Sequence, residues 1–388
     1  MAVNGLQQSL RRTTRLWNSL RCLTTLRHLK HEGCIIERTT KLKPKPDNVS
    51  SVAFGTVFTD HMLEVEWDAA EGWKTPKISE FHNLSLSPGS VVLHYALEVF
   101  EGTKAYRGDD GKVRLFRPIE NMKRMNNSAK RLSLPTFDGE EFVKCIKDLV
   151  RVDADWVPSE PNTSLYIRPT MIGTRPSLGV GPSNTALLYV VLCPVGPYFK
   201  SGFKPVSLLA DPRFVRSFKG GIGDTKAGGN YGGTIFVQLE AEKQGCQQVL
   251  WLYGQDELLT EVGTMNVFLH WTNEAGENEL VTPPLDGLIL PGVVRKSLIE
   301  LAQQWGTIKV SERRITMAET VKAVKDGRLK EMFGAGTACV VCPVDRILYH
   351  GENLPISCPT DGLAKRFLNE LTSIQYGRTP HEWSVSID

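Results

Sequence analysis

The sequence has no apolar run longer than the eight residues from Ala186 to Cys193, whereas a helix that crosses a bilayer takes roughly 20. A membrane span is therefore not expected. Cysteine is sparse, eight in 388 residues, irregularly spaced apart from Cys339-Val340-Val341-Cys342, which excludes a disulfide scaffold and fits a reducing compartment. The eight histidines make no HExxH or His-x3-His pattern, so no metal site is expected. An excess of one charge is lacking too. Lys and Arg number 46 against 43 Asp and Glu, which leaves no electrostatic case for a nucleic-acid partner. What is present, 41% hydrophobic and 23% charged residues, is the composition of a globular chain large enough for two domains.

The small cationic excess has a local origin. Residues 1–31 carry Arg11, Arg12, Arg15, Arg21, Arg27 and Lys30 among Ser, Thr, Leu and Trp, with no acid before Glu32. Without those six the net charge of +3 becomes −3. An Arg-rich, acid-free, helix-compatible leader has the pattern of a mitochondrial transit peptide, with a basic tail on a cytoplasmic protein as the alternative. A matrix location is the expectation.

Residues 32–51, with Pro44 and Pro46, read as a linker. Beyond it, Leu63, Val65 and Trp67 alternate with Glu64 and Glu66 as in a half-buried strand, and Val91–Phe100 is long enough for a short helix. Pro118 opens a helical stripe of Ile119, Met122, Met125, Ala129 and Leu132, on which Arg124 falls on the solvated side. Asp138 and Glu141 read as a capping box for the next helix. A strand from Thr163 puts Tyr166 and Arg168 on one face before Pro169 ends the pattern. The expected organisation is mixed α/β (α+β) in two domains: a smaller unit at 52–195, a Pro- and Gly-containing connection at 196–205, and a larger unit at 206–388.

The densest oddity is residues 220–233, seven glycines around Lys226. A phosphate loop of the Walker type fails on register, because Lys226 is flanked by Thr225 and Ala227. Glycine-rich backbone instead lets a flat ligand approach and frees the lysine, and a lysine made neutral by desolvation can form an imine with a carbonyl compound. A pyridoxal-phosphate site also needs an acid for the ring nitrogen, a donor for the ring hydroxyl, a phosphate cradle and a carboxylate anchor. Glu261, Tyr231, the uncapped helix start Pro291-Gly292-Val293-Val294 and the turn Gly334–Ala338 are the respective candidates.

Seven ordered motifs, Phe100-Glu101-Gly102-Thr103-Lys104-Ala105, Leu115-Phe116-Arg117-Pro118, Tyr166-Ile167-Arg168-Pro169, the Lys226 segment, Thr260-Glu261-Val262-Gly263-Thr264, Leu290-Pro291-Gly292-Val293 and Gly334-Ala335-Gly336-Thr337-Ala338, together resemble those of branched-chain amino-acid aminotransferases, which are fold type IV pyridoxal-phosphate enzymes. The resemblance runs from about Phe54 to Trp383. It implies that Lys226 carries the covalent link to pyridoxal 5'-phosphate and shuttles the proton, that Glu261 holds the ring nitrogen and Tyr231 the ring hydroxyl, and that Arg124, Val293, Val294 and Thr337 bind the phosphate. It further implies that Thr264 and Ala338 receive the substrate carboxylate, and that Tyr166 and Arg168 accommodate the distal carboxylate of glutamate or 2-oxoglutarate. Phe54, Tyr95, Phe100 and Val180 would form the apolar pocket, with Tyr95 and Val180 supplied by the partner subunit of a homodimer. Cys339 and Cys342 resemble the redox-sensitive dithiol of some eukaryotic members. The implied reaction is reversible transamination of leucine, isoleucine and valine with 2-oxoglutarate. Other fold type IV enzymes would use Lys226 and Glu261 similarly but are shorter chains, and a catalytically silent protein acting through the two thiols would leave the other motifs unexplained.

Overall fold

The computed structural model describes residues 26–197 and 204–388. Its first half contains β1 (Ile35–Ile36), β2 (His61–Asp68), β3 (Gly72–Trp73), β4 (Lys77–Glu80), β5 (Glu98–Phe100), β6 (Thr103–Arg107), β7 (Val113–Phe116), β8 (Ser164–Gly173) and β9 (Thr185–Val195). The helices are α1 (Val91–Tyr95), α2 (Pro118–Arg131) and α3 (Gly139–Val152). The strands lie in the order β1-β4-β2-β9-β8-β6-β7, with β3 on β2 and β5 on β8. Alternation explains β2: Leu63 and Val65 are buried while Glu66 is exposed. Against the sheet pack α2 and α3, whose Met122, Met125, Phe142, Ile146 and Leu149 share one core with Leu165, Ile167 and Leu188.

The second half contains β10 (Val206–Ala210), α4 (Gly229–Gly232), α5 (Thr234–Lys243), β11 (Gln248–Tyr253), β12 (Leu258–Val262), β13 (Met265–Thr272) and β14 (Asn278–Thr282). It continues through α6 (Val293–Trp305), β15 (Lys309–Glu312), α7 (Met317–Lys325), β16 (Leu329–Gly336), β17 (Val340–Tyr349), β18 (Glu352–Pro355), α8 (Leu363–Gln375) and β19 (Ser384–Ser386). Six of these strands, β12-β11-β10-β17-β16-β13, close on themselves through pairing of β12 with β13. Closure removes the free edges of that sheet. Gly306 ends α6 in the left-handed region, and Thr316 Oγ1 accepts the Glu319 N–H at the start of α7.

Several expectations are modified. Only α1 occupies the stretch foreseen as a helix to Phe100; Ala96 takes φ 49° and residues 98–100 pair with β8 instead. Pro169 does not end β8, which runs on to Gly173. Its carbonyl accepts the Glu101 N–H, so its missing donor faces the gap between β5 and β6, where no ladder partner is lost. The Asp138 carboxylate caps α3, but Glu141 does not complete the box and accepts the His31 N–H at 2.8 Å.

The outer boundaries also differ from the expected ones. The expected leader lies mostly outside the described residues, yet residues 26–31 belong to the packed fold: Arg27 pairs with Gly72, and Leu29 is fully buried among the first unit's core. Within the expected linker, Ile35 and Ile36 extend the first sheet, because β4 offers an open edge to them. Of the expected connection at 196–205, only 196–197 and 204–205 are described. At the far end β19 crosses back to pair with β7, so the chain terminus belongs to the first sheet. Leu29→Ala is expected to lower the unfolding free energy by about 2–4 kcal/mol, and a chain begun at residue 32 to unfold at lower denaturant than one begun at 26, both read by equilibrium unfolding.

Candidate active site

Lys226 is fixed by its backbone before its side chain does anything. The Phe100 N–H donates to the Lys226 carbonyl at 3.1 Å and the Gly228 N–H to the Glu98 carbonyl at 3.2 Å, so residues 226–228 lie along β5. The Lys226 N–H donates to Ser128 Oγ of α2 at 3.0 Å. Gly228 is required for this approach, since a Cβ there would stand 2.3 Å from the Glu98 carboxylate. A segment of the second half is thereby tied to the first sheet. The lysine projects into a cavity of about 490 Å³ at the seam, with Nζ 4.6 Å from the centre of the Phe100 ring and 3.3 Å from Tyr231 Oη.

Desolvation in this cavity, reinforced by the Arg124 and Arg168 guanidiniums, pushes the Lys226 amine from its ordinary range down to about 7. Burial has the opposite sense for the neighbouring phenol, raising Tyr231 to about 12, where it stays protonated and able to donate. Glu261 is buried just behind the cavity-lining Leu290 and Asn266. Its Oε1 accepts the Leu290 N–H at 2.7 Å and its Oε2 pairs with Arg216 Nε at 3.0 Å. Burial raises this carboxyl group, with Arg216 and the amide working against the shift.

Arg124 corrects the periodicity of α2. It is buried, donating from Nε and Nη2 to the two Glu101 oxygens at 2.6 and 2.7 Å and from Nη1 to the Pro291 carbonyl at 3.2 Å. Asn121, Arg124 and Ser128 form a second, polar stripe of α2 that is covered by β5, the 101–102 segment and the start of α6. Hydropathy cannot register a polar face that is buried. Burial alone would raise Glu101, but Arg124 brings it below the ordinary carboxylate range. Arg124 stands beside the first turn of α6, where Gly292 is the cap and no side chain satisfies the free N–H groups of Val293 and Val294.

Across the cavity, Arg168 Nη2 donates to Tyr166 Oη at 3.1 Å, and its guanidinium lies 4.8 Å from the Phe100 ring centre. Arg168 Nε is buried with no partner among the described residues. Gly102 accommodates this arrangement, because a Cβ there would meet Tyr166 Oη at 1.9 Å. Phe54 packs edge-on to Tyr166 at 4.9 Å. Thr264, Thr337 and Ala338 line the same cavity. The turn that carries the latter two is strained, with Val340 at φ 64°, and is tethered by Lys104, whose Nζ donates to the Ala338 carbonyl at 2.8 Å.

Of the residues singled out in the sequence, Phe54, Phe100, Arg124, Tyr166, Arg168, Lys226, Tyr231, Thr264, Val293, Val294, Thr337, Ala338 and Cys339 line one cavity. Tyr95 and Val180 do not; they are 42% and 85% exposed on the outer surface. Cys342 is buried at the third strand residue pair beyond the turn, opposite Gly334. Neither thiol is in a disulfide, and burial raises both, Cys339 to about 12. Glu101, Arg216, Ser128 and Lys104 were not foreseen as parts of this site. Glu101 and Lys104 lie in a motif already singled out, while Arg216 and Ser128 carry no local pattern. No group of His, Cys, Asp and Glu able to hold a metal occurs among the described residues.

Residues 98–347 match the family described as amino-transferase class IV. The chain is 58% identical over 361 residues to the cytosolic branched-chain-amino-acid aminotransferase of Ovis aries, covering 92% of this chain and 94% of that one. It is 55% identical over 375 residues to the mitochondrial branched-chain-amino-acid aminotransferase of Mus musculus, covering 96% and 95%. Among solved structures, a branched-chain amino acid aminotransferase from T.th., complexed with N-(5'-phosphopyridoxyl)-L-glutamate, superposes with a TM-score of 0.65 at 26% identity, covering 84% of this chain and 98% of that one.

Two consequences follow from the buried charges. Glu101→Gln leaves Arg124 unpaired and is expected to cost about 3–5 kcal/mol, measured by denaturant unfolding of the protein without cofactor. Lys226 titrates near 7 when folded and near 10.5 when unfolded, so the unfolded chain binds more protons between those values and stability rises with pH across that window. Lys226→Met is expected to remove that part of the pH dependence.

Proposed function

The chain belongs to the branched-chain-amino-acid aminotransferases of amino-transferase class IV, and we propose that the cavity at Lys226 is where it exchanges amino groups between leucine, isoleucine or valine and 2-oxoglutarate. The enzyme is pyridoxal-phosphate dependent. When bound, pyridoxal 5'-phosphate supplies the carbonyl that takes up the amino group and a ring that delocalises the electron pair left at the α-carbon. The residues present fit it: an amine that titrates near pH 7, an anion cradle, a buried carboxyl and a phenolic donor surround one cavity.

In this reading Lys226 Nζ would be the amine that links to the cofactor's carbonyl and the base that would take the proton from the substrate α-carbon. Two positive neighbours, Arg124 and Arg168, oppose protonation of that amine, which keeps a base available at neutral pH. Arg124, the uncapped N–H groups of Val293 and Val294 and the Thr337 hydroxyl hold the phosphate, with Glu101 fixing the guanidinium. Glu261, oriented by Arg216 and the Leu290 amide, would hold the ring nitrogen, and Tyr231 would donate to the ring oxygen.

The same pocket must receive an aliphatic side chain and a carboxylate. Phe54, Phe100 and the ring of Tyr166 supply apolar walls; Arg168 Nε and Nη2, with Tyr166 Oη, supply donors for the distal carboxylate of glutamate. Thr264 and the Ala338 amide take the α-carboxylate. The carrying observation is Lys226 itself, a desolvated amine inside an anion-binding cavity.

The surface, rather than the cavity, supports a homodimer. Leu93, Tyr95, Leu178 and Val180 are all exposed, and Tyr95 Oη donates to the Leu178 carbonyl, so α1 and the 174–184 loop present one apolar patch suited to a second copy of the chain. The basic leader supports a mitochondrial destination.

Borohydride reduction of the cofactor-loaded enzyme followed by peptide mapping is expected to place the pyridoxyl mass on Lys226; an adduct on any other residue refutes the assignment. Lys226→Arg should lower the turnover of L-leucine with 2-oxoglutarate by at least about 10³-fold. Arg168→Gln should raise KM for glutamate and 2-oxoglutarate at least about tenfold while leaving KM for leucine nearly unchanged. Val180→Asp is expected to shift the solution mass from two chains toward one by light scattering.

A further inference from the structure

Outside the cavity, one group of reactive side chains is left without a role. The segment that enters the first sheet turns at His31–Cys34, with the Cys34 N–H donating to the His31 carbonyl at 2.9 Å and Gly33 at φ 82°. This turn sits on one face of α3. The His31 N–H donates to Glu141 Oε2 at 2.8 Å, and the His31 ring meets Asp148 Oδ2 at 2.6 Å. Residues 141, 145 and 148 share a helix face, so Cys145 lies between the two anchor points. Cys34 packs against the core cluster that contains Cys145, and the two thiols are near enough for each to shift the other's titration.

The two sulfurs differ in environment. Cys145 is fully buried in the core, whereas Cys34 is half-buried at the surface of the turn. The neighbouring Cys145 thiol lowers Cys34 below the ordinary thiol range despite its burial and the nearby Asp148, and Cys34 together with burial raises Cys145. A partly exposed thiol made more acidic by a buried, protonated neighbour is the arrangement of an attacking and a resolving cysteine.

We propose that Cys34 and Cys145 form an oxidisable pair, separate from Cys339 and Cys342, that closes into a disulfide when the protein meets a peroxide. The Cys34 thiolate attacks one oxygen of hydrogen peroxide, forming an S–O bond and releasing hydroxide, which a proton converts to water. The Cys145 thiol then attacks the Cys34 sulfur, forming the S–S bond and expelling the second oxygen as water. Two thiols are oxidised by two electrons and one peroxide is reduced to two waters. The bond closes a loop of about 110 residues, the class that restricts the unfolded chain most. It fastens the segment carrying Leu29 and β1 to α3 in place of a few hydrogen bonds. Neither residue touches the cavity at Lys226, so this inference stands independently of the transaminase reading.

The test uses the full chain with cofactor bound. After hydrogen peroxide treatment, thiols are blocked with N-ethylmaleimide under denaturing conditions and the protein is digested with trypsin without reduction. The expected species joins the peptide His31–Arg38 to Cys145–Lys147, and it disappears on reduction. In Cys34→Ser that species is absent while turnover of leucine is unchanged. Oxidation is further expected to raise the unfolding midpoint of the wild type by several degrees and that of Cys34→Ser by none. Maleimide on both Cys34 and Cys145 after an exposure that consumes other thiols of the chain would overturn the proposal, as would a disulfide from Cys34 to any other cysteine.

Discussion

An ammonium group is destabilised beside two guanidiniums in a partly desolvated cavity, and the site at Lys226 is organised around that constraint. Arg124 and Arg168 both line the cavity, and both repel a proton on Lys226. The conflict is resolved by giving up the proton rather than moving the charges apart. A lysine that would otherwise be protonated at neutral pH titrates there instead, while the two arginines remain charged. Glu101 keeps the arrangement from being too positive, because its bidentate pairing with Arg124 neutralises one guanidinium without occupying every donor.

Holding these groups within a few ångströms requires both sheets. The lysine belongs to the second half of the chain but is hydrogen-bonded along β5 of the first sheet and to Ser128 of α2. Barrel closure brings β12, which carries Glu261, beside β13. The start of α6 is set against Arg124 through the Pro291 carbonyl. An apolar cluster with Tyr106, Phe116 and Trp383 on one side and Phe268, Phe333 and Leu298 on the other joins the halves. The seam is thus packed as a core, and the cavity is the part of it left open.

Much of this was readable in advance where the signal is local. The α6 helix is bounded as its periodicity and terminal glycine predict, and β2 follows its alternation. Signals failed where a neighbour replaced solvent. Arg124 is buried because α2 is covered on two faces, Pro169 stays in a strand because a gap lies opposite it, and residues 98–100 become a strand because β8 offers them an edge. Glu101, Arg216 and Lys104 escaped notice for a related reason: each acts by fixing another group, and nothing in local spacing records what a side chain will touch.

By itself the sequence determined which chemical groups are available and where turns and caps fall, since glycine, proline and capping preferences act over a few residues. It also carried the ordered motifs whose likeness to known aminotransferases names the chemistry. Only the tertiary structure decided that Lys226 loses its proton near neutral pH, that Arg124 faces an uncapped helix rather than water, and that Cys34 meets Cys145. Each of these depends on desolvation and on Coulomb interactions between residues far apart in the chain, quantities that exist only once the chain has closed around them.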